Sequence, residues 1–202
     1  MEKIELGKGK TVNVLRSFLI PLLELNLKII KDTELLCLQQ AIELWGDNQN
    51  LSSRGLTALD MGYMSSFSET SQCVINQWNQ ATTGRFVVST ATIIGIYGLK
   101  LKWCDDTKNF PPINSIRLCV NGARIAQWSL ECHHNIYPQS LVDELVSHDD
   151  LIKNTICNPI IASEDNKVEI FEYTRVANTE YSPIWLGVVV EKLGLTLMSN
   201  RR

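Results

Sequence analysis

Apolar residues recur along this chain with two different periods, and the switches between them mark the predicted elements. Leu22 to Ile30 alternates, with Leu23, Leu25, Leu27 and Ile29 facing one way and Glu24, Asn26 and Lys28 the other. A period of two predicts a half-buried strand. At Asp32 the period changes. Asp32 is placed to cap a helix, and Leu35, Leu38, Ile42 and Trp45 then recur every three or four residues. That stripe predicts a helix over 34–45, with Gly46 ending it at the position where a left-handed backbone is favoured. A second helix is predicted over 56–64, weakened by Gly62. A third is predicted over 69–80, capped by Ser68, with Val74, Trp78 and Ala81 on one side. Pro138 opens a fourth, burying Leu141, Val142 and Leu145.

The rest reads as strand. Residues 86–103 are rich in β-branched and aromatic side chains and predict one bent strand, or two kinked at Gly95 or Gly98. Pro111-Pro112 belongs to a loop over 105–114, since neither proline can donate to a ladder. Residues 115–128 form the clearest local signal, two apolar-rich runs around Asn121-Gly122. Both turn residues tolerate positive φ, so a type I′ hairpin is predicted. Strict alternation puts Arg117, Cys119, Arg124 and Ala126 on one face. Ile116, Leu118, Val120, Ala123, Ile125 and Gln127 take the other. Two more strands are predicted over 167–177 and 184–198, the last bending at Gly194. The sum is an α+β fold: a single domain, mainly antiparallel sheet with three to four helices packed on it. Residues 1–16 are expected as a flexible basic N-terminal arm, and 17–202 as the globular domain.

Composition narrows the function. A chain of 202 residues, 45% hydrophobic and 20% charged, buries one substantial core. A net charge of −3 excludes a polycation, so any hold on nucleic acid or anionic lipid must be a local patch. The six cysteines include no CxxC pair and no apolar leader precedes them, which predicts reduced thiols. No run approaches the roughly 18 apolar residues of a membrane-spanning helix.

Candidate chemistry is sparse. Cys132-His133-His134, with His148 further on, invites a zinc site or a Cys-His nucleophile, and hence a small hydrolase. Adjacent strand residues point to opposite faces, so Cys132 and His134 could share an ion but His133 could not join them. Gly7–Thr11, GKGKT, lacks both the spacing and the preceding strand of a phosphate loop. Asp105-Asp106 and Asp149-Asp150 read as loop carboxylates. The sequence therefore predicts no catalytic residue, no metal and no cofactor. It offers basic residues instead. Lys3, Lys8, Lys10 and Arg16 lie near the N-terminus, and Arg117 and Arg124 on one hairpin face. Each such charge near an anionic membrane contributes about 1 kcal/mol, and the same charges suit phosphates.

The order of elements carries a resemblance. A strand runs straight into a helix ending in Trp45, more helix, sheet and a hairpin follow, and the chain closes on an apolar strand containing LGVVVEK, residues 186–192. In this order the chain resembles the matrix proteins of rhabdoviruses. It departs from the animal-infecting members in its short arm, and in having Phe110-Pro111-Pro112-Ile113-Asn114 where they carry a PPxY-type budding motif. A plant-infecting relative would fit better. The resemblance implies a non-enzymatic virion protein of the host cytoplasm. Such a protein binds copies of itself, the viral nucleocapsid and an anionic membrane surface. RNA is a further candidate partner, since the alternative weighed from the basic residues is a nucleic-acid-binding viral accessory protein such as a silencing suppressor.

Overall fold

A computed structural model of the chain describes residues 1–16, 27–103, 111–129, 136–138 and 155–194. Strands dominate them: β1 (Glu2–Glu5), β2 (Thr11–Arg16), β3 (Asn50–Gly55), β4 (Glu69–Thr70), β5 (Trp78–Val87), β6 (Thr92–Trp103), β7 (Ile113–Val120), β8 (Ala123–Ser129), β9 (Ile136–Pro138), β10 (Thr155–Ser163), β11 (Lys167–Thr174) and β12 (Glu180–Lys192). One α-helix, α1 (Leu27–Trp45), stands among them. The strands form two sheets. Sheet A has the order β1-β2-β3-β12-β6-β10, with β4 paired to β12 and β9 to β6; sheet B has the order β5-β11-β7-β8.

The expectation of an α+β fold with three to four helices on one sheet is therefore corrected: the described part is β-rich, with one helix and two sheets. Each miss has a physical reason. The segment 56–64 holds only a short 3-10 turn, Leu59–Met61, closed by Gly62 at φ +79°. The segment 69–80 is β4, a loop and the start of β5. The helical spacing of Val74, Trp78 and Ala81 is accidental, because Val74 sits exposed in the loop and Trp78 and Ala81 face opposite sides of β5. In the predicted strand over 22–30, residues 27–30 are instead the first turn of α1, while 22–26 lie outside the described residues. Asp32 is thus inside the helix rather than its cap. The helix predicted after Pro138 lies outside the described residues, as do Cys132, His133, His134 and His148.

Two cores stack in layers. Sheet A buries one face against sheet B through Ile94, Ile96 and Leu99 of β6, Trp185 and Val189 of β12, Ile116 and Leu118 of β7, Trp128 of β8 and Ile170 of β11. Its other face packs on α1, where Ile30, Cys37, Leu38, Ala41 and Ile42 meet Ile93 and Tyr97 of β6 and Val188 and Val190 of β12. The helix comes very close at Gly95, where an added Cβ would stand 2.6 Å from both Cys37 Sγ and Thr33 Cγ2. Burial, with the charge of Glu34 adding to it, pushes the Cys37 thiol up to about 12. Sheet B has no such cover among the described residues, so its outer face is left as the broad half-exposed surface.

The segment expected as a loose arm is built into sheet A. β1 and β2 pair antiparallel around Gly7–Gly9, β2 pairs in parallel with β3, and Val12 and Val14 are buried. The predicted 115–128 hairpin is present, with Asn121 at φ +51° and Gly122 at φ +80°. Its faces differ from strict alternation because the register slips between Leu118 and Cys119, leaving Ile125 without a partner. A bulge of this kind turns every later residue to the other face. Arg117, Cys119 and Arg124 still share a face, but Gln127 joins them and Ala126 turns inward beside Leu118.

Candidate functional site

The outer face of sheet B is a grid of three cross-strand rows. One row runs Trp78, Tyr173, Ser115, Ser129; the next Gln80, Phe171, Arg117, Gln127; the third Arg85, Glu169, Cys119, Arg124. Lys167 adds a further cation beside Glu169, at 2.7 Å. β11 explains the arrangement. Its side chains alternate strictly, with Val168, Ile170, Glu172 and Thr174 buried and Lys167, Glu169, Phe171 and Tyr173 half-buried on the outside.

Charge and aromatic surface are interleaved on this face. The Arg117 guanidinium carbon lies 3.9 Å from the centroid of the Trp78 ring, reaching across β11. Its Nε and Nη2 donate to Gln127 Oε1 at 3.4 and 3.3 Å. Trp78 in turn packs edge-on against Tyr173, ring centroids 5.7 Å apart. The Tyr173 hydroxyl donates to the Asn76 carbonyl at 2.8 Å. The planar groups are thereby held in place before any ligand arrives. Cations outnumber acids: Arg85, Arg117, Arg124 and Lys167 stand against Glu169 alone among the described residues of the face. Cys119 is buried beneath them; burial raises its thiol pKa, and Arg117 and Arg124 oppose the shift while Glu169 adds to it.

A second polar cluster lies inside the sandwich. Glu69 and Glu172 are 2% and 0% exposed. Glu69 accepts from the Thr83 backbone N–H at 3.2 Å and from the Thr83 hydroxyl. Glu172 accepts from the Gln72 N–H at 2.7 Å, from Thr174 Oγ1 at 3.3 Å and from the Tyr181 hydroxyl. Burial pushes the Glu172 carboxyl up, against the bonds from Tyr181 and Gln72, and the charge of Glu69 pushes it further. The same burial, with Glu172 beside it, raises the Tyr181 phenol. With their oxygens engaged and almost no exposed surface, these carboxylates tie β4, β5, β11 and β12 together.

The other predicted basic residues fare differently. Lys3 lies exposed on β1, and Lys8 and Lys10 are exposed at the β1–β2 tip; none makes an ion pair with a described residue. Arg16 is committed: its Nε and Nη2 donate to Glu34 at 2.9 and 3.0 Å, and its Nη1 to Glu2. Its pKa is raised first by that Glu34 bond. Arg54, not singled out in the sequence, is likewise held by Asp60 and Glu191 at 2.6 and 2.8 Å. Sequence reasoning placed Arg117 and Arg124 together but missed Trp78, Phe171, Tyr173 and Arg85. The alternation of β11 was a usable signal for Phe171 and Tyr173, since it sends both aromatic rings outward. No group of three or more potential metal ligands occurs among the described residues.

No protein-family model matches the sequence, and no curated protein matches it. The crystal structure of pika GITRL is similar over 61% of this chain and 92% of that one, at 12% identity and a TM-score of 0.26. No helix among the described residues is long and apolar enough to cross a membrane.

Proposed function

We propose that this is a non-catalytic binding protein that holds nucleic acid on the outer face of sheet B. The observation that carries the reading is the clustering of Arg85, Arg117, Arg124 and Lys167 around a single carboxylate, Glu169, on a chain of net charge −3. A local excess of cations on an acidic protein concentrates the field where the partner docks. Arginine dominates the cluster, and its planar fork matches phosphate oxygens better than an ammonium does.

The wider role implied by the rhabdovirus matrix resemblance is kept as a second reading, with sheet B facing the nucleocapsid. One observation favours it: Lys8 and Lys10 project from the β1–β2 tip, clear of the arginine face and free of ion pairs with described residues. That tip supplies a separate cationic point for an anionic lipid surface.

The test is a salt titration of oligonucleotide binding by the full-length protein. Log affinity should fall linearly with log salt, by about 0.7 per phosphate neutralised on a single strand. Neutralising Arg85, Arg117 and Arg124 together should cut affinity and flatten that slope, whereas Lys8→Gln with Lys10→Gln should leave both unchanged. Binding that ignores salt, or that is lost with the lysines and kept without the arginines, overturns the assignment.

A further inference from the structure

We infer that the ligand of this face is single-stranded nucleic acid whose bases stack on Phe171 and on the Arg117–Trp78 pair, rather than a duplex held by its phosphates alone. The inference rests on the nucleic-acid reading above and names the form of nucleic acid. In a duplex the flat faces of the bases are hidden in the helical stack, so a protein surface meets only phosphates, sugars and base edges. Arginines alone would serve that purpose. Here Phe171 occupies the middle of the grid, directly opposite Arg117 on one side and Gln80 on the other. Trp78 and Tyr173 fill the neighbouring row. Outward aromatic rings set between arginines match an unpaired strand, because every base offers a π-face and every nucleotide a phosphate.

The arrangement is preorganised for that use. Arg117 lies against the Trp78 ring and is hydrogen-bonded to Gln127, so guanidinium and indole form one platform beside Phe171. A guanidinium can itself take a base on its planar face. Arg85 and Arg124 stand at the two ends of the adjoining row and suit the phosphates that flank a stacked base. The Gln80 amide and the Gln127 Nε2 donor border the platform and suit any base, which predicts weak sequence preference.

The experiment compares three probes on the full-length protein at one salt concentration: a labelled 12-nucleotide single strand, the 12-base-pair duplex of the same sequence, and vesicles of anionic phospholipid. The single strand should bind at least about fivefold more tightly than the duplex, and Phe171→Ala should weaken single-strand binding by about fivefold or more while leaving the duplex unchanged. Phe171→Tyr should restore it. Phe171 is only half-buried, so the folded state of each variant is checked by circular dichroism, and Trp78→Phe gives an independent reading through loss of ligand-induced fluorescence quenching. Equal affinity for strand and duplex, with Phe171→Ala silent but the arginine variants weak, overturns the stacking inference and leaves the nucleic-acid reading standing. Arginine-dependent binding of vesicles, with neither nucleic acid bound, overturns both.

Discussion

Arg117 and Trp78 sit on strands that do not pair with each other, yet the guanidinium carbon lies 3.9 Å from the ring centroid across β11, which separates the two strands. This stack joins the two flanks of sheet B and sets the geometry of its exposed face. A double-mutant cycle with Arg117→Ala and Trp78→Ala, read by urea unfolding, should give a coupling of about 0.5–1 kcal/mol. Arg117→Lys should recover only part of it, since an ammonium cannot lie flat on the ring. A coupling of zero would show that the contact does not form in solution.

Arg16 should behave as a structural residue rather than a membrane contact. Its partner Glu34 is buried at 2% exposure, and Arg16 Nε and Nη2 supply its hydrogen bonds. Arg16→Ala strands that carboxylate, which should cost about 1–3 kcal/mol. Neutralising Lys8 or Lys10, both exposed, should shift stability by less than about 0.5 kcal/mol. Thermal unfolding of the three variants separates the two roles.

Gly95 should be the most sensitive glycine of the helix–sheet contact. The 2.6 Å approach of its virtual Cβ to Cys37 Sγ and Thr33 Cγ2 leaves no space for a methyl group. Gly95→Ala must push α1 away from β6, at a cost of about 1–3 kcal/mol. Recovery of stability in the pair Gly95→Ala with Cys37→Ala would locate the strain; no loss in the single variant would contradict the packing.

Glu172 makes stability depend on pH with a definite sign. Its folded-state pKa is raised above the ordinary 4.5, chiefly by burial, with Glu69 adding to the rise. The folded protein therefore holds this proton more tightly than the unfolded chain does. Its contribution is most favourable below about pH 4.5 and is lost as pH rises through the folded value; a tenfold difference in proton affinity between the two states is worth about 1.4 kcal/mol. Glu172→Gln should remove that fall, so the variant gains on the wild type as pH rises above about 4.5, in urea midpoints measured side by side. Parallel pH profiles would contradict it.

Local chemistry was legible in the sequence, and long-range assembly was not. Asn121-Gly122 predicted its turn because both residues accept positive φ wherever they lie, and both have it, at +51° and +80°. The stop of α1 at Gly46, φ +86°, was legible for the same reason, and its C-terminal half in the repeat of Leu38, Ile42 and Trp45; its start at Leu27 was not, and Leu35 of the predicted stripe is exposed. The bulge at Ile125 was not, since nothing in an alternating run marks which residue will lose its partner. The third predicted helix failed because a turn and a strand can place Val74, Trp78 and Ala81 at helical spacing; tertiary packing, which buries Ala81 between the sheets, decides between them. That error hid half the site. With Trp78 read as helical, nothing brought it to Arg117, and only the pairing of β5 and β7 on either side of β11 does so.

Binding on the outer face of sheet B can be observed residue by residue. A backbone amide chemical-shift map, recorded while a short single-stranded oligonucleotide is titrated in at low salt, tests it most directly. The largest shifts should fall on β5, β7, β8 and β11, centred on Trp78, Arg117, Arg124 and Phe171. Shifts confined to the β1–β2 hairpin around Lys3, Lys8 and Lys10, or no shifts at all, would contradict it.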